Sequence, residues 1–296
     1  MKFENSFKKS WDKVVKEDTL PRYMNTIKEY DYITFKNFVL ENNEKKADEI
    51  VNSLYSGDVY ILRNVYSDEF VEDLKTKLFK WGQDTESEFH KTYENVPNFH
   101  RIVDESVNSN YAMKPMWHIF YLFPWNQDHM GVYEEINKRW NIMKMLSGYQ
   151  ANEFSKNTPK DGIIDRIHFY QYPSGGGYVE THSDPYRINR TIMTTKLSTR
   201  GEDYQTGGIY FYTEDNKKVN LDDQIQKGDM FFCFPSLLHG CDPVDPNETI
   251  DWNSQRGRWL LGPWSIDSDE VKDRHTGYAA NIESFNNLNK GKTNEQ

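Results

Sequence analysis

The chain has 296 residues and a formal net charge of −10. That length suits one large domain or two small ones, and an acidic balance without a basic stripe argues against a nucleic-acid binder. Aromatic residues reach 15% against a hydrophobic fraction of 36%, so Tyr, Phe and Trp must supply much of the core and of any pocket wall.

Residues 1–40 are polar with scattered aromatics and carry no clear period. Residues 44–55 place Ala47, Ile50, Val51 and Leu54 on one stripe, which predicts an amphipathic helix that Gly57-Asp58 ends. Residues 59–62 predict a strand. Ser67 is a good N-cap for a second helix whose apolar repeat is Phe70, Leu74, Leu78 and Trp81. Residues 83–130 are rich in His, Tyr, Phe, Trp and Asn without regular alternation, which predicts an irregular lid or binding loop. A third helix is expected over 132–146, with Ile136, Trp140 and Met143 inward. From Ile163 onward short strand-like runs alternate with turn residues, the pattern of an all-β sandwich or barrel. The runs are 163–172, 191–197, 208–212, 230–234 and 259–261. Residues 267–296 are polar and predict a tail, frayed from Asn286.

Cys233 and Cys241 are the only cysteines. They exclude a disulfide framework and match no zinc pattern, so a cytoplasmic setting is expected. The first residues lack the apolar stretch of a signal peptide, and no apolar run has the length of a membrane span.

The chemistry concentrates in His182-Ser183-Asp184 and the distant His239. Two imidazoles and one carboxylate form the ligand set that holds non-haem Fe(II) on one face and leaves coordination positions open. An isolated His-x-Asp triplet carries little weight. Here it sits in an ordered series: Tyr172-Pro173-Ser174-Gly175-Gly176-Gly177-Tyr178-Val179 before it, then Gly207-Gly208 opening a strand, Lys227-Gly228-Asp229 before an aromatic strand, His239, and Gly257-Arg258-Trp259. The triple glycine lacks the Lys-Ser/Thr of a phosphate loop and predicts a turn.

This series resembles the Fe(II)/2-oxoglutarate-dependent dioxygenases, in particular their prolyl-hydroxylase-like branch, over roughly residues 163–266. The resemblance implies a mainly β protein with supporting helices: a double-stranded β-helix (jelly roll) core with N-terminal helices packed outside, in a single oxygenase domain over 1–296. Its parts would be a helical support and lid over 1–162, the jelly roll over 163–266 and the tail. It implies Fe(II) on His182, Asp184 and His239, with 2-oxoglutarate and dioxygen as cosubstrates. It also implies decarboxylation of 2-oxoglutarate to succinate coupled to hydroxylation of an unactivated C–H bond. Halogenating relatives have a small residue in place of the carboxylate, so Asp184 points to hydroxylation. Arg258 is the expected partner of the distal 2-oxoglutarate carboxylate, as a charged bidentate fork. The apparent insertion at 247–255 leaves Arg256 as a rival. Tyr172, ten residues before His182, is expected to line the cosubstrate pocket.

Strand alternation extends the list. If Tyr172 faces the pocket, so do Tyr170, His168 and Arg166, which makes these three candidate substrate-binding residues. Thr194, Lys196 and Ser198 share a face of the next strand, and Lys196 is a further candidate for 2-oxoglutarate. The polar wall favours a small polar substrate such as an amino acid derivative. A peptidyl (prolyl-type) hydroxylase and a non-catalytic metal-binding jelly-roll module are the alternatives.

Overall fold

A computed structural model describes residues 4–275 and 277–279. In chain order, α1 (Ser6–Val14) is followed by β1 (Ile27–Asp31), α2 (Tyr32–Glu41), α3 (Glu44–Tyr55), β2 (Val59–Arg63) and α4 (Asp68–Asp84). Next come β3 (Phe99–Val103), β4 (Pro115–Leu122) and α5 (Tyr133–Leu146). Then come β5 (Ile163–Pro173), β6 (Gly177–Ser183), β7 (Ile192–Lys196), β8 (Gly208–Tyr212) and β9 (Lys218–Asn220). The last are β10 (Met230–Cys233), β11 (His239–Val244), β12 (Gly257–Asp267) and β13 (Tyr278–Ala279). The first four long helices start at side-chain caps, from Asn5, Asp31, Asn43 and Ser67, each accepting from main-chain N–H groups of the first turn.

The strands form a jelly roll. The larger sheet runs β1-β2-β10-β7-β12-β5-β4, with β3 on the outer side of β4. The smaller runs β4-β6-β11-β8-β9, with β13 also on β6. Strand β4 belongs to both: His118–Leu122 pair with β5, whereas Pro115 and Met116 pair with β6. All these pairings are antiparallel except β1 with β2. Residues 83–130, expected to be irregular, therefore contribute two strands to the core. The chain before Ile163 supplies β1 to β4 as well as the helices.

The helices cover one face of the larger sheet. Val51, Leu54, Leu74, Ile136, Trp140 and Met143 share a core with Ile167, Phe169, Met193, Phe232, Trp259 and Leu261 of the strands. Alternation then turns the neighbouring strand residues to the opposite face, toward the smaller sheet. That second face lines the cavity described below.

Helix α5 is also tied to the sheet by charge. The Lys144 amine meets the Asp165 carboxylate and lies 4.3 Å from the Trp140 ring centre. It also donates to the Glu153 carbonyl at 2.6 Å. Both ions are buried, and burial holds the amine below its ordinary pKa and the carboxyl above its own. Removing one partner strands the other charge. Asp165→Asn is expected to cost about 3–5 kcal/mol, read as a lower urea midpoint with an unchanged slope.

Candidate metal and cosubstrate site

The candidate metal ligands come from two neighbouring strands and the residue beyond one of them. His239 of β11 sits directly opposite His182 of β6 in the antiparallel register. Asp184 follows the end of β6, where its N–H donates to the Pro235 carbonyl at 2.9 Å. The candidate ligand atoms of the three residues lie within 4.8 Å of one another, and all three residues are buried.

Each imidazole is held through Nδ1, by the Glu180 carbonyl at 2.8 Å for His182 and the Leu237 carbonyl at 2.9 Å for His239. That fixes the tautomer and leaves Nε2 to ligate, as is usual for histidines that hold a metal. The Asp184 carboxylate approaches both Nε2 atoms, at 3.7 Å for His182 and 3.2 Å for His239. Burial, reinforced by His239, pushes the His182 pKa down to about 4, so this imidazole is neutral, as a ligand must be. Burial also opposes charge on His239, but its hydrogen bond and attraction to Asp184 outweigh that and raise its pKa. The donor set therefore fits an Fe(II)-type site.

These residues open onto a cavity of about 730 Å³ between the two sheets. Its wall includes Arg166, His168, Tyr170 and Tyr172 of β5, Thr194 of β7, and Arg258 and Leu260 of β12. The β5 residues thus share the cavity face, while Ile167 and Phe169 lie in the helix-facing core. The turn from β5 to β6 needs its glycines: Gly175 has φ +98°, and a Cβ there would stand 2.4 Å from the Ile250 nitrogen. Cys241, two residues past a ligand, also lines this cavity, and burial pushes its thiol up to about 12. Cys233 is a buried core residue.

Arg258 reaches the cavity in a different state from the one expected. Its Nε and Nη2 are taken by the Asp222 carboxylate at 2.8–3.0 Å, and the Tyr204 hydroxyl donates to the same carboxylate. Only Nη1 is buried without a partner. The guanidinium thus offers one edge atom, not a full fork, and the Tyr172 ring lies 6.0 Å away on the same wall. Arg256 is half-exposed and paired with Glu248, and it does not line the cavity.

Lys196 departs from expectation. Its amine donates to the carbonyls of Asp222 at 3.1 Å and Ile225 at 3.0 Å, behind the cavity wall. Burial lowers its pKa to about 8. Its neighbour Ser198 bonds main chain of Trp259. Thr194 is the member of that face that lines the cavity.

Residues 89–92 and Asp269, Arg274 and His275 line the cavity from two segments that meet. The Asp269 carboxylate accepts from the Thr92 N–H at 2.5 Å, and the Asp269 N–H donates to the Thr92 carbonyl at 3.1 Å. Part of the expected tail is therefore wall, while its frayed portion, 286–296, lies outside the described residues. His100 and His118 bond each other at 2.8 Å away from the cavity.

A scan against protein-family models gives no match, and no curated protein matches in sequence. Solved structures do resemble the chain in outline. A prolyl-4-hydroxylase from Pseudomonas putida has 14% identity and a TM-score of 0.44 over 73% of this chain and 96% of that one. A full-length Neurospora crassa protein in complex with alpha-KG and thymine has 14% identity and a TM-score of 0.46 over 86% and 88%. A Trichoplax adhaerens prolyl hydroxylase in complex with a hypoxia inducible factor peptide fragment has 14% identity and a TM-score of 0.47 over 80% and 94%.

Proposed function

We propose that this chain is an Fe(II)/2-oxoglutarate-dependent oxygenase. It hydroxylates an unactivated C–H bond of a small polar molecule such as an amino acid derivative and converts 2-oxoglutarate to succinate. The observation that carries this reading is one cavity holding both the His182–Asp184–His239 cluster and the unpartnered Nη1 of the buried Arg258.

Bound iron would supply the activation of dioxygen, for which open coordination positions are required. The chain supplies the rest. His182 and His239 present Nε2, and Asp184 presents the only carboxylate of the set. Arg258 Nη1 and the Tyr172 hydroxyl receive the distal carboxylate of 2-oxoglutarate. Asp222 and Tyr204 hold the guanidinium in place, so that little side-chain freedom is lost when the cosubstrate docks. On the substrate side, Arg166, His168 and Tyr170 form a fixed wall. The His168 Nδ1 meets the Tyr170 hydroxyl at 2.7 Å, and burial keeps its ring neutral.

Residues of 89–92 and 269–275 that line the cavity, joined by Thr92 and Asp269, narrow its outer side and favour a small molecule over a peptide. This narrowing also limits the access of water to the reacting centre.

Anaerobic addition of Fe(II) and then 2-oxoglutarate should give a metal-to-ligand charge-transfer band, and air should then yield succinate. A metal-loaded protein that gives neither would leave the non-catalytic metal-binding module as the reading.

A further inference from the structure

The cavity has a second cationic end. Arg258 and Tyr172 face each other across β12 and β5, and Trp264 faces Arg166 further along the same pair. Tyr172 and Arg166 are six positions apart along β5, about 20 Å of extended strand. The metal cluster lies toward the first end, since the Asp184 charge acts on Tyr170 and Tyr172. One short dicarboxylate cannot span both arginines.

At the far end Arg166 stacks over Tyr121, 4.9 Å from the ring centre, and no ion pair or hydrogen bond to its side chain occurs among the described residues. Its Nε is buried without a partner. Arg274, carried in by the 269–275 segment, pairs with Asp269 through Nη1, and its Nε is likewise buried and unpartnered. Arg166, Arg274 and Asp269 lie close enough to act on one another electrostatically. Arg101, on the neighbouring Tyr111 ring, and Asp267 line the same end, so three guanidiniums face two carboxylates and one positive charge is left uncompensated. Burial disfavours that charge and lowers the Arg166 pKa.

Two further polar groups on the same wall lack partners. Trp117 Nε1, a donor set against the Tyr170 and Tyr172 rings, is buried with no acceptor, and His168 Nε2 is buried without a partner, donor or acceptor according to the tautomer. Around them the wall is apolar or aromatic, with Phe99, Met113, Ile119 and Ile266. Buried polar groups without partners are costly unless a ligand satisfies them.

We infer that Arg166 and Arg274 form a carboxylate subsite for the substrate, which is a carboxylic acid whose charged end lies remote from the oxidised carbon on a largely apolar, acceptor-bearing body. This rests on the oxygenase reading and narrows its substrate class. Asp269 orients Arg274. Trp117, beside Tyr170 and Tyr172, donates to a neutral acceptor, such as an amide carbonyl, on the body of the substrate.

The test uses full-length protein loaded with Fe(II) and 2-oxoglutarate under anaerobic conditions. Hippurate, 3-phenylpropionate and 4-phenylbutyrate are each titrated by calorimetry against their methyl esters. At least one acid should bind about ten-fold or more tighter than its ester, as a charge-assisted contact requires. Arg166→Gln and Arg274→Gln should each weaken that acid about ten-fold or more while leaving the ester within about two-fold. Arg274 lies on the 269–275 segment, so its variant probes the site without altering the sheet. The inference is overturned if no acid outbinds its ester, or if both variants bind the acids as the unmodified protein does. The charge-transfer band of the unmodified protein separates the two readings. If it is present without acid preference, only the subsite fails; if it is absent, the oxygenase reading fails.

Discussion

Replacing His182 or His239 with alanine is expected to abolish iron-dependent turnover. Loss of even an outer partner of a metal ligand typically costs about 10–100-fold in affinity, and loss of a ligand should exceed that. The two histidines stand opposite each other in the β6–β11 register, and each is anchored through Nδ1 to a main-chain carbonyl. Their Nε2 atoms therefore cannot be replaced by a neighbouring side chain without rearranging the strand pair. Among the described residues, theirs is the one cluster of at least three His, Cys, Asp or Glu ligand atoms close enough to hold an ion. Iron content after anaerobic loading and desalting, together with succinate formation, checks the point. Circular dichroism separates loss of metal from loss of fold. Full iron occupancy and turnover in either variant would remove these residues from the metal site.

The parts of this protein that were legible in the sequence are those where one face of an element is apolar. Helix α3 shows Ala47, Ile50, Val51 and Leu54 on a single stripe, and those four are its buried residues. Helix α4 announces itself by the Ser67 cap. Strand β5 alternates between a helix-facing core and a polar cavity wall, so its period of two survives in the residue types. Strand β4 is different. Every residue from Pro115 to Leu122 is buried, on both faces, and several are His, Trp or Tyr, so no alternation marks it as a strand. Strand β12 is longer than its apolar run because Gly257, Arg258, Pro263 and Ser265 also pair within it.

The site divides along the same line. The candidate metal trio, which the structure brings together, stands out in the sequence because its ligand types are chemically distinctive. The partner of Arg258 does not, because Asp222 lies 36 residues away in a polar turn that resembles any surface turn. Lys196 misled for a related reason. Strand parity sets the face from which a side chain starts, whereas the long lysine chain ends at the carbonyls of Asp222 and Ile225. Arg274 sits in a polar stretch that reads as tail. Tertiary contacts, Asp269 with Thr92 and Ser268 with Gly162 and Pro159 among them, bring it to the cavity.

Arg258→Ala should raise the apparent KM for 2-oxoglutarate by about 100-fold or more and also destabilise the fold. The expected cost of breaking a buried charge pair is about 3–5 kcal/mol, because Asp222 keeps its charge and loses its bidentate partner. In the native protein that carboxyl suffers burial, but Arg258 and then Lys196 hold its pKa below the usual carboxylate value. The two effects can be separated. In the double variant Arg258→Met/Asp222→Asn no uncompensated carboxylate remains, and replacing both partners of a buried pair is often close to neutral. Stability by urea unfolding should therefore return most of the way in the double variant, while the KM for 2-oxoglutarate stays high because Nη1 is still missing. Lys196 does not rescue binding, since its amine is committed to two carbonyls behind the wall. Arg256→Ala, which breaks only a half-exposed pair with Glu248, should change neither quantity by more than about 1 kcal/mol. If Arg256→Ala raised the KM and Arg258→Ala did not, the cosubstrate would have to bind outside this cavity, against the exposed face of the 247–256 segment. If the double variant regained 2-oxoglutarate affinity along with stability, Arg258 would be a structural ion-pair partner and the distal carboxylate would be held elsewhere.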